Sequence, residues 1–365
     1  MESIVFDDFS GGWRGTLDLA KCPPNMHDGR NVLIYRDGSL GPRPGLKAFN
    51  VGYSVAQRVR GALHTGHPVR PLVWVEGTTV FATSDDGLGN AVSVGTLAGP
   101  PVNDMPLKMT KFTGRQSFMS VPGAGAADRV YWIHHNGAAT LLQNLGGAGG
   151  YCNSPYGVRL ITGNSASALI NFSAAMNGAV WPAANTIRLA FDGIPIHLSE
   201  QRNHLVAVLD DGSWFVLTGV PGVNDTLRRV AGGQVYPAPL GYDAFLDTGD
   251  DIINFLSPSG NFPGSFDGAN LSELPYLSMT PENPRQSYAE GGFVVAARAV
   301  KAIQGSGTAS PGFILRDPVN RLLLKHNGAW GLHQFGVPVG QAWAFNGQGR
   351  LIGFDPDKAS GAPLC

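Results

Sequence analysis

The amino-acid sequence predicts an all-β protein: a β-propeller of about six or seven blades preceded by an extended N-terminal arm. Three observations carry that prediction. A hairpin unit recurs six times along the chain, Gly (50) and Pro (26) together make about a fifth of the 365 residues, and helical signals are scarce. Gly supplies positive φ and Pro fixes φ, so this composition suits many short strands joined by tight turns. With 43% hydrophobic residues, the chain has the apolar content of a packed core and not of a disordered tract.

Residues 1–50 read as the arm. Phe6-Asp7-Asp8-Phe9-Ser10-Gly11-Gly12-Trp13 is followed by a spacer and then by Cys22-Pro23-Pro24-Asn25 and Asn31-Val32. Asp37-Gly38 is placed to close a small hairpin between Val32–Tyr35 and Leu40–Arg43. Pro42 and Pro44 hold Arg43 extended, and Gly45 lets the chain turn after it.

Residues 51–365 read as the propeller domain. Leu72–Glu76 and Thr79–Ala82 flank Gly77-Thr78, Val130–Ile133 and Thr140–Leu142 flank Asn136-Gly137, and His204–Leu209 and Ser213–Leu217 flank Asp210–Gly212. Ile252–Leu256 with Ser257–Gly260 is a weaker copy. Leu322–His326 and Ala329–Leu332 flank Asn327-Gly328, and Ala342–Phe345 and Arg350–Phe354 enclose Asn346-Gly347. Asn-Gly and Asp-Gly between apolar runs are strong hairpin signals, because type I′ turns need positive φ at both central positions. A lone hairpin is marginal in water, so each must bury a face against its neighbour. Radial stacking of four-stranded units of about 40–50 residues does this and leaves only short edges. A two-sheet sandwich or jelly roll is the alternative use of the same hairpins. Ala166–Met176 offers one short helix, or equally a loop of small residues. Gly123–Ala127 and Gly146–Gly150 read as connections between repeats, and Pro275–Glu290 as a long surface loop.

Net charge is −1 and only 15% of residues are charged. That excludes the basic footprint of a nucleic-acid binder. It also gives poor protection against self-association, as in a permanent subunit covered by neighbours. No stretch approaches the length of a membrane-spanning apolar helix, so no membrane insertion is expected. Met1–Phe9 is acidic where a secretory signal is basic and apolar, so synthesis is expected to end in the cytoplasm. Cys22, Cys152 and Cys365 are odd in number and widely spaced, which fits neither a disulfide framework nor a zinc site.

Candidate chemistry is thin. His134-His135 would point to opposite faces of a strand and cannot chelate one ion. His64 and His67 flank a turn at Gly66 and lack a nearby Cys, Asp or Glu in sequence to complete a metal set. Asp85-Asp86, Asp210-Asp211 and Asp250-Asp251 could supply a glycosidase carboxylate pair, but each lies at a turn where solvated Asp is the ordinary choice. Asp210–Phe215 resembles the structural Asp-box turn of sialidase-type propellers, with Val208 where that box has Ser. No nucleophile elbow, P-loop or dinucleotide fingerprint is present, and Gly146–Gly150 lacks the Lys and helix of a phosphate loop. Trp74, Trp132, Trp214, Trp330 and Trp343 are expected at one repeated core position. The chain is therefore read as no enzyme, with no cofactor and no metal.

The arm carries one resemblance. Phe9, Gly11, Gly12, Pro24, Asn31, Val32, Gly38, Leu40, Arg43, Pro44 and Gly45 match, in order and spacing, the N-terminal region of tailed-bacteriophage virion proteins. In that family the leader precedes a β-propeller body, in tail hub or nozzle proteins and in minor tail proteins. The match covers about 40 residues by motif and the rest by repeat style. It implies a structural component of the virion tail, assembled in the host cytoplasm as a trimer or hexamer beside other tail proteins. Phe9, Trp13, Asn31, Arg43, Pro44 and Gly45 are the candidate assembly contacts, with the Arg43 guanidinium donating to carbonyls or a carboxylate of a neighbour or of the ring's own rim. The alternative is that Arg43-Pro44-Gly45 is only a fixed turn closing the first blade. Arg (19) outnumbers Lys (7), which fits a GC-rich genome and an actinobacterial host. The rival reading is a propeller that binds or hydrolyses glycans through a central pocket.

Overall fold

The repeated hairpins assemble into antiparallel sheets of four strands that follow one another along the chain. A computed structural model describes residues 57, 59–98, 107–113, 116–123, 128–136, 139–230 and 235, and beyond these only short segments that are chiefly the remaining strands. In the arm, β1 (Gly12–Trp13) pairs in parallel with β2 (Met26–His27). The expected Asp37-Gly38 hairpin is present, with β3 (Val32–Ile34) antiparallel to β4 (Leu40–Pro42).

The first sheet is β5 (Val59–His64), β6 (Leu72–Glu76), β7 (Thr79–Thr83) and β8 (Val92–Thr96). The second is β9 (Lys108–Phe112), β10 (Gln116–Val121), β11 (Arg129–Asn136) and β12 (Ala139–Asn144). The third is β13 (Asn153–Tyr156), β14 (Arg159–Gly163), β15 (Leu169–Phe172) and β16 (Thr186–Arg188). The fourth is β17 (Pro195–Gln201), β18 (His204–Leu209), β19 (Trp214–Thr218) and β20 (Thr226–Val230). The fifth is β21 (Phe245–Asp247), β22 (Ile253–Phe255), β23 (Gly264–Phe266) and β24 (Leu271–Glu273). The sixth is β25 (Val294–Ala297), β26 (Gly312–Leu315), β27 (Arg321–His326) and β28 (Ala329–Gln334). A seventh position is held by β29 (Trp343–Phe345) and β30 (Leu351–Gly353).

The first strands of successive sheets touch from β5 through β9 and β13 to β17, and again from β21 through β25 to β29, which returns to β5. The sheets therefore stand around an axis as blades, and the chain is a β-propeller. The sandwich alternative falls with that ring. β1 and β3 of the arm lie against β28, on the rim of the sixth blade.

Burial explains why each blade needs its neighbours. All five residues of β6, Leu72-Val73-Trp74-Val75-Glu76, are buried, because both faces of the strand are covered. Val73, Val75, Val80 and Ala82 pack against Met119, Val121, Tyr131 and Ile133 between blades 1 and 2. Ile161, Ile170 and Phe172 meet Leu205, Ala207, Phe215 and Leu217 between blades 3 and 4. Leu72 packs on Ile352, joining the first blade to the seventh. Each such side chain contributes about 1.5–3 kcal/mol by leaving water.

Three expectations are corrected. Ala166–Met176 is neither helix nor featureless loop: its centre is β15, laddered to β14 and β16. The small residues before β15 serve a turn in which the Asn164 side-chain oxygen accepts from the Ala166 N–H (2.9 Å) and the Ser167 hydroxyl (3.0 Å). The five tryptophans do not share one repeat position. Trp74 lies on a second strand, Trp132 and Trp214 on third strands, Trp330 on a fourth and Trp343 on a first. Trp74 and Trp214 are fully buried, whereas Trp132 is half-buried. Gly123–Ala127 falls between β10 and β11, inside blade 2, while Gly146–Gly150 does connect blades 2 and 3. Pro275–Glu290 lies outside the described residues.

Candidate functional site: one end of the ring

In a four-stranded meander the loops alternate ends. Those joining first to second and third to fourth strands share one end of the ring, here called the upper face. The second-to-third loops and the interblade connections share the other. Among the described residues nine large apolar side chains are exposed. Seven of them sit in upper-face loops: Val69 and Leu88 on blade 1, Val158, Met176 and Val180 on blade 3, and Val220 and Val223 on blade 4. Leu88 is 84%, Val223 73% and Met176 59% exposed. Of the other two, Leu141 lies on β12 and Phe191, 92% exposed, in the connection between blades 3 and 4 at the other end. Single apolar residues are ordinary on a surface, and it is their accumulation at one end that stands out.

Local hydrogen bonds hold these side chains outward. The Met176 N–H donates to the Val158 carbonyl (2.7 Å), with Met176 at φ 56°. The Val220 N–H donates to Asn224 Oδ1 (2.8 Å) and the Gly222 N–H to Asp225 Oδ1 (2.7 Å). A Cβ at Gly222 would sit 2.8 Å from Phe172 Cζ, and φ there is +75°, so glycine lets the blade 4 loop close onto blade 3. On blade 1 the Leu88 N–H donates to Asp86 Oδ1 (3.0 Å) and the Gly89 N–H to Ser84 Oγ (2.8 Å). The loop of residues 173–185 carries no charged residue.

The upper face also carries a histidine cluster at the seam of blades 1 and 2, and here the sequence reading is corrected. His64 does have an acidic neighbour: its Nε2 lies 3.1 Å from Asp85 Oδ1, across the blade 1 sheet. Burial pushes the His64 pKa down, as does the Lys111 ammonium, against the opposing pull of Asp85. Burial lowers the Lys111 pKa as well. His67 Nδ1 accepts from the Val69 N–H (3.3 Å) and the Arg70 N–H (3.1 Å). Its ring stacks on that of His135 at 4.0 Å, and His135 Nδ1 lies 3.2 Å from Thr140 Oγ1. His134 turns to the other side of β11, as the strand period requires, and stacks on Trp132 at 4.3 Å. Burial lowers the His134 pKa. Among the described residues no three His, Cys, Asp or Glu side chains are grouped to hold a metal ion.

Asp210 and Asp211 act as turn residues. Asp210 Oδ1 accepts from the Ile194 N–H (2.7 Å), and Asp211 accepts from the Ser213 N–H and hydroxyl. Asp85 and Asp86 are divided between the His64 contact and the Leu88 turn. Asp250 and Asp251 lie outside the described residues. Of the assembly contacts read from the arm, Trp13 falls on β1 opposite His27. Phe9, Asn31, Arg43, Pro44 and Gly45 lie outside the described residues. The apolar upper face was missed from sequence, although counting hairpin strands would have assigned its loops to one end.

No protein-family model and no curated protein matches the chain. Solved structures do match by shape. BBS1N, solved in complex with ARL6DN, superposes with a TM-score of 0.52 at 11% identity, over 87% of this chain and 92% of that one. A putative 6-phosphogluconolactonase from Bacteroides uniformis gives 0.50 at 11% identity, over 82% and 88%. Raptor from Chaetomium thermophilum gives 0.50 at 12%, over 81% of this chain and 27% of that much longer one. These likenesses concern the propeller fold alone.

Proposed function

We propose that this protein is a structural subunit of a bacteriophage tail, at the tail tip, the hub or nozzle, or as a minor tail protein. It docks neighbouring tail proteins through the upper face of its propeller and repeats as a homo-oligomeric ring, a trimer or hexamer. The observation that carries docking is the placement of seven of nine exposed large apolar side chains on loops at one end. The motif of the arm supplies the tail context, and the low charge suits a surface covered by neighbours. Closed rings are the natural assembly for a position on a tail axis. On this reading the protein does mechanical work and no chemistry, without cofactor, membrane insertion or sequence-specific nucleic acid.

Electron microscopy of the purified protein, with antibody labelling of virions, tests the proposal. Rings in solution, or label confined to the tail, are the expected results. A dispersed monomer absent from virions that binds a glycan array would overturn the reading in favour of a lectin or glycosidase.

A further inference from the structure

We propose that Phe191, on the lower face of one copy of this chain, is a knob that docks onto the apolar upper-face patch over blades 3 and 4 of a second copy. Phe191 lies in the connection between β16 and β17, and at 92% it is the most exposed large apolar side chain among the described residues. The connection is pinned on both sides. Leu189 is buried, and its N–H donates to the Ala168 carbonyl (2.9 Å). The Ile194 N–H donates to Asp210 Oδ1 (2.7 Å), and the Asp210 N–H donates to the Ile194 carbonyl (2.9 Å). Gly193 turns the chain at φ +93°, where a Cβ would press on Leu209 Cδ1 at 3.1 Å. An ordered loop therefore holds the Phe191 ring in water, and its burial awaits another surface.

The receiving patch is continuous across the two blades. The Met176 N–H donates to the Val158 carbonyl (2.7 Å), the Ala174 N–H donates to the Val180 carbonyl (2.7 Å), and Gly222 seats the Val220–Val223 loop on Phe172. Residues 173–185 carry no charge, so an aromatic ring that covers them strips no ion of its water. The occupant is a second copy because this chain itself carries the matching knob. Knob and patch stand at opposite ends of one seam, between blades 3 and 4, so a copy shifted along the ring axis brings its Phe191 over that patch. The net charge of −1 leaves little long-range repulsion between copies. Two different surfaces meet, so the contact is heterologous and leaves a bare knob and a bare patch at its ends unless the copies close a ring. It rests on the reading above for the association of copies, and adds which surfaces join them.

Sedimentation velocity of the full chain over a wide range of concentration tests the contact. The wild type is expected to self-associate. Phe191→Ser and, separately, Val223→Asp should each weaken association at least about thirtyfold, as loss of a buried interface anchor does. Both positions are exposed, so urea midpoints should stay where they are; if Val223→Asp shifts its midpoint, Met176→Ser takes its place. Leu88→Ser, on blade 1, is the unaffected control. Mixing the two variants reads the direction of the contact. The Val223→Asp chain keeps its knob and the Phe191→Ser chain keeps its patch, so the mixture should form one-to-one dimers and nothing larger. A wild type that stays monomeric, Phe191→Ser association as tight as the wild type, or variants that fail to pair on mixing overturns the proposal. The tail reading stands or falls on the labelling of virions, which none of these results moves.

Discussion

Replacing Trp214 by Ala tests whether blades are held by their seams. Trp214 is fully buried on β19 of blade 4 and wedges into three phenylalanines of blade 5. Ring centroids lie 4.7 Å from Phe266, 5.3 Å from Phe255 and 6.0 Å from Phe245, and those phenylalanines come from three different strands. Truncating a buried Trp to Ala costs about 3–5 kcal/mol in transfer and cavity terms. Aromatic pairs add about 0.5–1.5 kcal/mol each, partly contained in that range, so about 4–6 kcal/mol is expected. Against a total of about 5–15 kcal/mol for a folded domain, this is a large share. With a urea m-value of about 3 kcal/mol/M, the unfolding midpoint should fall by about 1–2 M, or blade 5 should melt in a separate earlier step. Trp214→Phe keeps an aromatic ring in the seam and should cost about 1–2 kcal/mol. If Trp214→Ala lost less than about 2 kcal/mol, the seam would not be what holds the blades, and the argument from burial would fail.

Asp128 is 7% exposed, and its carboxylate accepts from the Gly123 N–H (3.0 Å), the Ser165 N–H (2.8 Å) and the Ser165 hydroxyl. Asp128→Ala leaves three donors behind and should cost about 3 kcal/mol or more in urea unfolding, with Asp128→Asn intermediate. Burial pushes the Cys152 thiol up to about 12. At pH 8 its thiolate fraction is then about one in ten thousand, so mass mapping should find Cys152 unlabelled by thiol reagents until the chain unfolds. His64 has a folded pKa below its ordinary 6.5, so below that pH the unfolded state binds more protons and stability falls as pH drops toward the folded value. Urea midpoints at pH 7.5 and 5.5 should therefore drop less in His64→Gln than in the wild type; an equal drop removes His64 from the account.

The fold was legible because its signals are local. Gly77-Thr78, Asn327-Gly328 and Asp210–Gly212 lie between residues that are in register in the ladders, as Glu76↔Thr79, His326↔Ala329 and Val208↔Trp214 show. At Asn136-Gly137 the ladder already includes Asn136, paired with Ala139. The third blade was harder to read, since β15 is only four residues long and its small, polar flanks carry turn chemistry that resembles a helix start. The histidine cluster was illegible for a different reason. His67 and His135 meet across a seam between blades, and His64 meets Asp85 across a sheet, so no spacing in sequence encodes either contact. The tryptophans misled because both strand faces are buried in a stacked blade, so an aromatic can fill a seam from any of the four strands.

Interblade hydrogen bonds gather at the lower end of the ring, though the Gly157 N–H to Glu200 Oε1 bond (3.0 Å) joins blades 3 and 4 at the upper one. At the lower end polar side chains are spent on neighbouring blades. The Ala98 N–H donates to the Tyr131 hydroxyl (2.8 Å), Arg129 donates back to the Ala98 carbonyl, and Asp128 takes the Ser165 donors from blade 3. Asn153 Nδ2 reaches from blade 3 to the Lys108 carbonyl (2.9 Å) and Ser120 Oγ (3.0 Å) of blade 2. Groups so engaged have little left to offer a partner. At the upper end the hydrogen bonds of the Val220–Asp225 and Ser84–Gly89 loops close mostly within each loop, and what they hold outward is apolar. A loop that is ordered by its own backbone, yet leaves Leu88 or Val223 in water, gains little in stability from that side chain. The gain arrives only when a second surface covers it, and on the proposed reading that surface belongs to a neighbouring tail protein.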